Sequence, residues 1–233
     1  MNWEEWKPFY LRIAQEMGYS IEKDREAAQI LRALLLEGDE YILKEELEAV
    51  IEKKAYVFGA GPSLEKALKE LNFSGGTLIA ADGATSALLD AGLVPDVIVT
   101  DLDGRIPDLR IANGRGAFMV IHAHGDNVDK LTAYVPLFSR ILGTCQTKPL
   151  DIVYNFGGFT DGDRAAFLAE ALGAREIVLV GFDFGDVVGK WSKPSLGEHS
   201  PVWESKRKKF AFAQELLKWL EENGRARLRY LHP

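Results

Sequence analysis

The first 54 residues follow a helical pattern of apolar and polar positions. Apolar side chains recur three or four residues apart, with Glu and Lys between them, in three stretches: Trp3, Trp6, Phe9, Tyr10 and Ile13; Ala27, Ile30, Leu31 and Leu34; Leu43, Leu47, Val50 and Ile51. This spacing places the apolar residues on one face of each helix. No strand-like alternation and no group of candidate ligands occurs here. We therefore predict an N-terminal helical domain, residues 1–54, that serves packing or dimerisation rather than catalysis.

From residue 55 the pattern changes to short β-rich runs that alternate with amphipathic helical stretches. The runs lie at 55–58, 77–81, 97–100, 117–121, 152–154 and 177–180. Alternation of this kind requires crossover connections, which favour a parallel sheet with helices on both faces. The prediction for residues 55–233 is an α/β catalytic domain with a Rossmann-like, doubly wound, mostly parallel sheet. Ligands of such sheets bind beyond the carboxyl ends of the strands.

Composition and charge narrow the classes of partner. The chain has 233 residues, 47% of them hydrophobic, and a net charge of −7, which argues against a nucleic-acid-binding surface. No apolar run is long enough for a membrane span. The acidic N-terminus is unlike a signal peptide and the single cysteine, Cys145, suits a reducing compartment, so we expect a cytoplasmic protein. Small molecules are the expected partners, and the helical region is compatible with a homodimer.

Asp101 and Asp103 carry the most informative chemistry in the sequence. They follow the apolar run 97–100, and side chains two apart on a strand point the same way, so both carboxylates should leave one face of one strand end. Two carboxylates that close repel each other unless a cation lies between them, and Mg²⁺ carrying nucleotide phosphates is the usual one. The alternative is a solvated turn, because Asp and Gly are common in loops.

Other predicted strands also end in residues suited to ligands. Asp82, after the second strand, is either a helix cap or a ligand beside Asp101. His122 and His124, after the fourth, could hold a metal or contact a polyphosphate; the alternative is one core and one surface histidine. The first strand runs into a turn that could offer N–H groups to phosphate, or be a plain tight turn, at Gly59-Ala60-Gly61-Pro62-Ser63.

A second acidic motif opens a predicted helix after residue 159. Thr160 followed by Asp163 resembles a capping box with Asp in place of Glu. Asp161, between them, could reach the same cation as Asp101. The motif therefore combines a structural role with a candidate ligand.

The segment after the last predicted strand is long and irregular. It follows Asp183, contains Gly, Ser and Pro, and carries Lys190. Such segments are uncommon in compact domains unless they are functional or disordered, so we predict a lid that closes on phosphates. The basic run 206–209 is expected to be the solvated face of the helix that follows.

Several of these motifs, in this order, resemble the core signature of thiamine pyrophosphokinases. The matching segments are Ala81-Asp82-Gly83-Ala84, Leu88 to Asp96, Thr100-Asp101-Leu102-Asp103 and Thr160-Asp161-Gly162-Asp163-Arg164-Ala165. The resemblance implies that family's catalytic-domain fold. Those enzymes also carry a C-terminal β-sandwich that helps to bind thiamine, whereas after residue 200 this chain has room for one helix and one short strand.

Over nearly its full length, including 59–64 and 122–127, the sequence is similar to the archaeal-type 6-hydroxymethyl-7,8-dihydropterin pyrophosphokinases. This resemblance implies transfer of diphosphate from ATP to the pterin hydroxymethyl group, with release of AMP, in folate- or methanopterin-type cofactor biosynthesis. Alternatives from the residues are a metal-dependent phosphohydrolase, a thiamine-type pyrophosphokinase, and a nucleotide-binding module without turnover.

Diphosphoryl transfer requires in-line positioning, cations on the phosphates and stabilisation of the charge that moves onto AMP. We expect Mg²⁺ to be held by Asp101, Asp103 and Asp161. Asp82 and Asp183 are candidates for the carboxylate that reads the pterin edge. The residues expected to take part in the transfer are Asp101, Asp103, His122 and His124, and those expected to bind ATP or pterin are Gly59, Gly61, Pro62, Ser63, Asp82, Thr160, Asp161, Asp183 and Lys190.

Overall fold

The structure is a computed structural model that describes residues 1–231. Its helices are α1 (Trp3–Met17), α2 (Ile21–Gly38), α3 (Lys44–Glu48), α4 (Leu64–Glu70), α5 (Ala84–Asp90), α6 (Ile106–Gly114), α7 (Val128–Tyr134), α8 (Asp161–Ala171) and α9 (Glu204–Asn223). Its strands are β1 (Lys54–Phe58), β2 (Thr77–Ala81), β3 (Val97–Thr100), β4 (Phe118–Ala123), β5 (Ile141–Cys145), β6 (Val153–Tyr154), β7 (Glu176–Val180), β8 (Val187–Val188), β9 (Ser200–Pro201) and β10 (Arg227–Leu231). Single 3-10 turns cover Val135–Leu137 and Lys190–Ser192.

Within residues 1–231, eight strands form one sheet in the order β10-β7-β1-β2-β3-β4-β5-β6. The pairings between these neighbours are parallel. The chain steps outward from β1 to β6 and then returns to the opposite side of β1 as β7. The connections that leave the carboxyl ends of β1 and β7 therefore run in opposite directions, toward β2 and toward β10, and such a point in an open parallel sheet forms a crevice for ligands.

Helices cover both faces of the sheet, as the strand–helix alternation predicts. On one face, Val57, Val99 and Leu179 share a core with α1, α8 and α9. On the other face, Phe58 packs with α4 and α5, and Ile121 packs with α2, α6 and α7. Strands buried on both faces read as continuous apolar runs, which is why β1, β3 and β7 are recognisable in the sequence. The doubly wound α/β prediction is confirmed.

The N-terminal helices pack directly on the sheet. Trp6 of α1 lies in the same core as the strand residue Val99, and Leu31 of α2 packs with Ile141 of β5. The N–H of Gly125, just after β4, donates to Asp24 in the first turn of α2 at 2.8 Å. The first turn of α2 is thereby held beside the carboxyl ends of the central strands.

Two parts of the fold differ from the sequence prediction. The sequence analysis did not predict β5, because Gly143 and Thr144 interrupt its apolar run. Glycine suits position 143, since a Cβ there would lie 2.7 Å from Leu35 Cδ1 and the leucine side chain would have to shift. The segment after β7 is more regular than expected, because β8 and β9 pair antiparallel around a 3-10 turn. No helix among the described residues is long and apolar enough to span a bilayer.

Candidate active site

Three aspartates from different parts of the chain converge at the carboxyl edge of the sheet. Asp82 follows β2, Asp101 follows β3, and Asp161 begins α8, which packs against β1, β2 and β3. One carboxylate oxygen from each lies within 4.8 Å of the others. We call Asp82, Asp101 and Asp161 the carboxylate triad.

Asp82 has an unusual backbone conformation, and the end of β3 with the loop after it holds its carboxylate. Asp82 has a φ of +42°, which is uncommon for a residue other than glycine. Its Oδ1 accepts hydrogen bonds from Thr100 Oγ1 at 2.6 Å and from the Gly104 N–H at 3.1 Å. A Cβ at position 104 would lie 2.6 Å from the same oxygen, so glycine is required for this approach. These contacts fix the Asp82 carboxylate toward the other two.

The electrostatic environment of the triad disfavours three negative charges. Burial, and then repulsion from Asp101, raises the pKa of Asp82 to about 7. Burial, with repulsion from Asp101 and Asp82, also raises the pKa of Asp161 well above its ordinary value. Burial acts in the same direction on Asp101, but a hydrogen bond and the charge of His124, with further cationic side chains, outweigh it and lower the pKa of Asp101 to about 2.

The triad fits a hard divalent cation. Carboxylate oxygens are the ligands that Mg²⁺ and Ca²⁺ take in proteins. Oδ1 of Asp161 is buried and has no hydrogen-bond partner among residues 1–231, so it is open to a further ligand. A cation between the three carboxylates would also remove the repulsion that raises the pKa of Asp82 and Asp161.

One of the three residues of the carboxylate triad differs from the metal ligands expected from the sequence. The sequence analysis expected Asp103 beside Asp101 and Asp161, whereas the structure brings Asp82 to them. The strand ends at Thr100 and Leu102 has a φ of +67°, so the two-residue spacing of a strand no longer applies beyond it. The carboxylate of Asp103 lies at the cavity wall in an ion pair with Lys130.

The triad lies where two cavities meet. The first cavity extends over the ends of β2 to β5, and its lining includes Asp24, Asp103, His124, Gln146, Lys193 and Lys209. The second cavity lies at the crevice between β1 and β7, and its lining includes Gly59, Gly61, Phe182, Asp183, Phe184 and Phe210. Residues that line both are Asp82, Thr160, Asp161, Ser192 and Lys206.

The helix α9 contributes cationic side chains that the sequence analysis placed elsewhere. Lys206 lines both cavities and Lys209 lines the first, and each is partly buried. Burial lowers the pKa of Lys206, with a smaller effect of the same sign from Lys209. The expectation of a solvated face is therefore wrong for these two residues. It is correct for Arg207 and Lys208, which are exposed.

The Gly59–Ser63 loop shapes the second cavity, but its N–H groups are used within the protein. Those of Gly59 and Gly61 donate to carbonyl groups at the end of β7, at 2.8 and 2.9 Å. Ser63 donates from its N–H and its Oγ to Asp183 Oδ2, at 2.8 and 2.7 Å. Gly59 and Gly61 line the cavity, whereas Pro62 and Ser63 do not. The N–H groups of Gly59, Gly61 and Ser63 are thus already paired within the protein.

The predicted lid lysine, Lys190, also has a partner outside the two cavities. Its Nζ lies 2.8 Å from Glu65 Oε1 on α4. The cation that this segment contributes to the first cavity is Lys193 instead. The segment itself packs over the strand ends, and a Cβ at Gly83 would overlap the carbonyl oxygen of Trp191.

The two histidines of the fourth strand occupy different environments. His124 reaches the first cavity, and its Nε2 lies 3.4 Å from Asp101 Oδ2. His122 is 2% exposed and lines neither cavity; its Nδ1 lies 3.1 Å from Thr144 Oγ1. Burial lowers the pKa of His122 well below its ordinary value, so this ring is neutral. One histidine therefore faces the site and the other lies beneath it.

The capping box of the second acidic motif is confirmed. The Asp163 carboxylate accepts the N–H groups of Phe159 at 2.5 Å and Thr160 at 2.9 Å, at the start of α8. Asp163 is fully buried and belongs to the framework of the helix. The cap orients the first turn of α8, from which Asp161 points to the triad.

Residues 1–54 contribute to the site, against the expectation that they serve only packing. Oδ2 of Asp24 accepts from Tyr10 Oη at 2.7 Å and from Gln146 Nε2 at 2.8 Å. Gln146 Oε1 accepts from Arg164 at 3.2 Å, and Arg164 lies 3.6 Å from Asp161 Oδ1. One signal could have found Asp24: it occupies the apolar register that continues through Ala27, Ala28, Leu31 and Leu35 of α2.

Comparison with known proteins shows the family of the chain. The family model described as "6-hydroxymethylpterin diphosphokinase MptE-like" matches residues 34–189, which contain the whole triad. A Pyrococcus furiosus protein named 6-hydroxymethyl-7,8-dihydropterin pyrophosphokinase is 69% identical over 228 residues, 98% of each chain. Proteins of the same name from Methanothermobacter thermautotrophicus and Methanocaldococcus jannaschii are 46% and 40% identical, over 98% and 95% of this chain and 99% and 97% of theirs. The chain belongs to the MptE-like family of 6-hydroxymethylpterin diphosphokinases.

Proposed function

We propose that the protein transfers the β,γ-diphosphate of ATP to the hydroxymethyl group of 6-hydroxymethyl-7,8-dihydropterin, giving AMP and the pterin diphosphate. Relatives named for this pterin activity, aligned with 95% or more of the chain, support the reaction. The observation that supports ATP and Mg²⁺ is the carboxylate triad at the junction of two cavities, with Lys193, Lys206 and Lys209 around it. The product belongs to the biosynthesis of folate- or methanopterin-type cofactors.

The two cavities suggest how the substrates are divided. The second cavity lies at the β1/β7 crevice, where open parallel sheets bind nucleotides, and its phenylalanines offer apolar surface to a base. We place ATP there, with its phosphates directed to the triad. The acceptor then approaches from the first cavity, on the other side of the triad from ATP, and its hydroxymethyl oxygen reaches the β-phosphorus from that side.

The triad and the lysines handle the charge of the transferred group. When bound to the triad, Mg²⁺ would neutralise the phosphate oxygens and align them for displacement at the β-phosphorus. Lys206 lines both cavities, so its ammonium group can contact the diphosphate while it belongs to ATP and after its transfer to the pterin. The hydroxymethyl oxygen bonds to the β-phosphorus as the bond between the α- and β-phosphates breaks; the electron pair of that bond leaves on AMP, and the hydroxyl proton is released to solvent. Asp103 is proposed as an additional ligand that exchanges its ion pair with Lys130 for the cation.

His124 is proposed as a positioning residue rather than a proton acceptor. Both of its ring nitrogens have partners, because Nε2 faces Asp101 at 3.4 Å and Nδ1 accepts the Asp126 N–H at 3.3 Å. The ring therefore holds the Asp101 carboxylate toward the triad and supports its ionised form.

Product analysis tests the reaction. The protein is incubated with Mg-ATP and either 6-hydroxymethyl-7,8-dihydropterin, thiamine or no acceptor, and all products are followed by liquid chromatography and mass spectrometry. We expect AMP and the pterin diphosphate in equal amounts, with loss of both when Mg²⁺ is chelated. Accumulation of ADP, or equal rates with thiamine, would contradict the proposal.

The alternatives predict other products and find less support in the geometry. A phosphohydrolase built on His122, His124, Asp101 and Asp103 would release free phosphate, but His122 lines neither cavity. A thiamine pyrophosphokinase would use thiamine as the acceptor, which the thiamine arm of the product analysis tests.

A further inference from the structure

We propose that the heterocycle of the acceptor binds at the α2 end of the first cavity, where Asp24 and Gln146 recognise its hydrogen-bonding edge. The helix α2 would then determine which acceptor is used. This inference rests on the proposed diphosphate transfer and extends it to the residues that select the substrate.

The order of the strands places this end of the cavity away from the nucleotide. The crevice between β1 and β7 lies on one side of the triad strands β2 and β3, and the strands β4 and β5 lie on the other. Gln146 directly follows β5, and Asp24 is joined to it by a hydrogen bond. A transfer between two substrates needs both reacting groups at the triad and their remaining parts on opposite sides, which leaves the β4–β5 side to the acceptor.

Aromatic side chains give this end of the cavity walls that suit a planar ring. Tyr19, which precedes α2, and Phe159, which precedes α8, both line the cavity. Their ring centroids are 6.3 Å apart with planes inclined at 52°. Lys209, whose Nζ lies 5.9 Å from the Phe159 centroid, lines the cavity beside this wall, and Trp203 is a further aromatic residue of the cavity lining. Such surfaces bury the faces of a heterocycle and leave its polar edge to be read.

Asp24 has the properties of a carboxylate that reads such an edge. It is only 2% exposed yet lines the cavity. Within the described residues its hydrogen-bond donors are neutral: Tyr10 Oη and the Gln146 amide to Oδ2, and the Gly125 N–H to Oδ1. With a single donor on Oδ1, this oxygen retains capacity for another hydrogen bond. An aminopyrimidinone edge presents adjacent N–H donors, one of which could donate to this oxygen and compensate the burial of the carboxylate.

The two earlier candidates for this role are occupied elsewhere. Asp82 belongs to the triad, and Asp183 lines the second cavity, which is assigned to ATP. Gln146 extends the recognition site toward the triad, because its Oε1 accepts from Arg164, which contacts Asp161. The acceptor edge and the metal-binding carboxylates are thus held by one connected set of side chains.

Fluorescence titration tests the assignment. Binding of 6-hydroxymethylpterin, a fluorescent oxidised analogue of the acceptor, is measured with Mg²⁺ and α,β-methylene-ATP present, and the nucleotide analogue is titrated separately. We expect Asp24→Asn to raise the pterin Kd by about tenfold to 100-fold, the effect of losing a charged hydrogen bond in a buried site, with nucleotide Kd nearly unchanged. Asp129→Asn removes the same charge from an exposed residue outside both cavities and should change neither Kd.

Two further variants separate recognition from folding. Tyr10→Phe removes a donor to Asp24 from outside the cavity, so it should lower the free energy of unfolding while the pterin Kd stays close to that of the wild type. Tyr19→Leu removes an aromatic wall and should weaken pterin binding without affecting the nucleotide; it decides the question if Asp24→Asn does not fold.

The outcomes distinguish the two proposals. A wild-type protein that forms no AMP with the pterin acceptor would refute the proposed function itself. Turnover in the wild type together with an unchanged pterin Kd in Asp24→Asn, or in Tyr19→Leu where Asp24→Asn does not fold, would overturn the acceptor site alone. Equal weakening of pterin and nucleotide in the variant that decides would also overturn it, because the effect would not be specific to one end of the cavity.

Discussion

Replacement of Asp82 by asparagine should stabilise the metal-free protein and abolish its activity. Asparagine keeps the Oδ1 acceptor for Thr100 and Gly104, so the loop after β3 retains its hydrogen bonds. The substitution removes one of three negative charges within 4.8 Å of one another. It also removes a carboxylate ligand of the proposed Mg²⁺ site, for which we expect a loss in turnover of more than about 100-fold.

The size of the stabilisation follows from the pKa of Asp82. Its ordinary value is 3.8 and burial with repulsion from Asp101 raises it to about 7 in the folded protein. Between these values the folded state binds more protons than the unfolded state, so stability falls as the pH rises from about 4 to about 7 and stays low above that. A difference of about 3 pKa units corresponds to about 4 kcal/mol, shared among the triad because its members titrate together.

Chemical denaturation with a chelator present, at pH 4 and at pH 8, measures this difference. At pH 8 the free energy of unfolding of Asp82→Asn should exceed that of the wild type by up to about 4 kcal/mol, so the variant unfolds at a higher denaturant concentration. At pH 4 the two proteins should have the same free energy of unfolding. Mg²⁺ at 100 times its Kd should stabilise the wild type by about 2.7 kcal/mol and leave the variant unchanged. The reasoning fails if the gap between the two proteins does not depend on pH, or if Mg²⁺ stabilises both equally.

Three further substitutions examine other parts of the site. Lys206→Met should lower kcat by on the order of 100-fold, because it removes a cation at the junction of the cavities, whereas Lys208→Met on the exposed face of α9 should leave kcat unchanged. Asp103→Asn should reduce turnover less than Asp82→Asn, since the Asp103 carboxylate lies outside the triad; equal losses in steady-state assays would contradict this ranking. Gly83→Ala should lower the free energy of unfolding by about 1–3 kcal/mol and raise the nucleotide KM, because the alanine Cβ would overlap the Trp191 carbonyl oxygen. Wild-type values of both quantities would show that the segment around Trp191 can move away without cost.

The sheet could be predicted from the sequence where its strands are buried on both faces. β3 carries Val97-Ile98-Val99, a run that leaves no alternative to a buried strand. β5 carries Gly143 and Thr144 among fewer large apolar residues, and its register depends on packing against Leu35 of α2. Local pattern alone does not contain that long-range contact, so this strand was not predictable from its own residues.

The site residues at the strand ends could be predicted from the sequence, whereas those contributed by helices were harder to predict. The rule that parallel strands end at one edge correctly brought Asp82 and Asp101 together. It could not show that the chain turns at Leu102 and directs Asp103 to another partner. Lys206 and Asp24 belong to helices far from each other in sequence, and only the packing of α9 and α2 on the sheet brings them to one cavity.

The motif Thr160-Asp161-Gly162-Asp163 shows how hydrogen bonding separates a structural aspartate from a functional one. Asp163 accepts from the N–H groups of Phe159 and Thr160, so burial of its charge is compensated within the protein. Asp161, two residues earlier, is partly buried; its Oδ1 has no hydrogen-bond partner within residues 1–231, although Arg164 lies 3.6 Å from it as an ion-pair partner. Folded proteins leave few buried polar atoms unpaired, and such an atom costs stability. A carboxylate oxygen that lacks a hydrogen bond and faces two other carboxylates is therefore best explained by a ligand that the folded protein is built to receive.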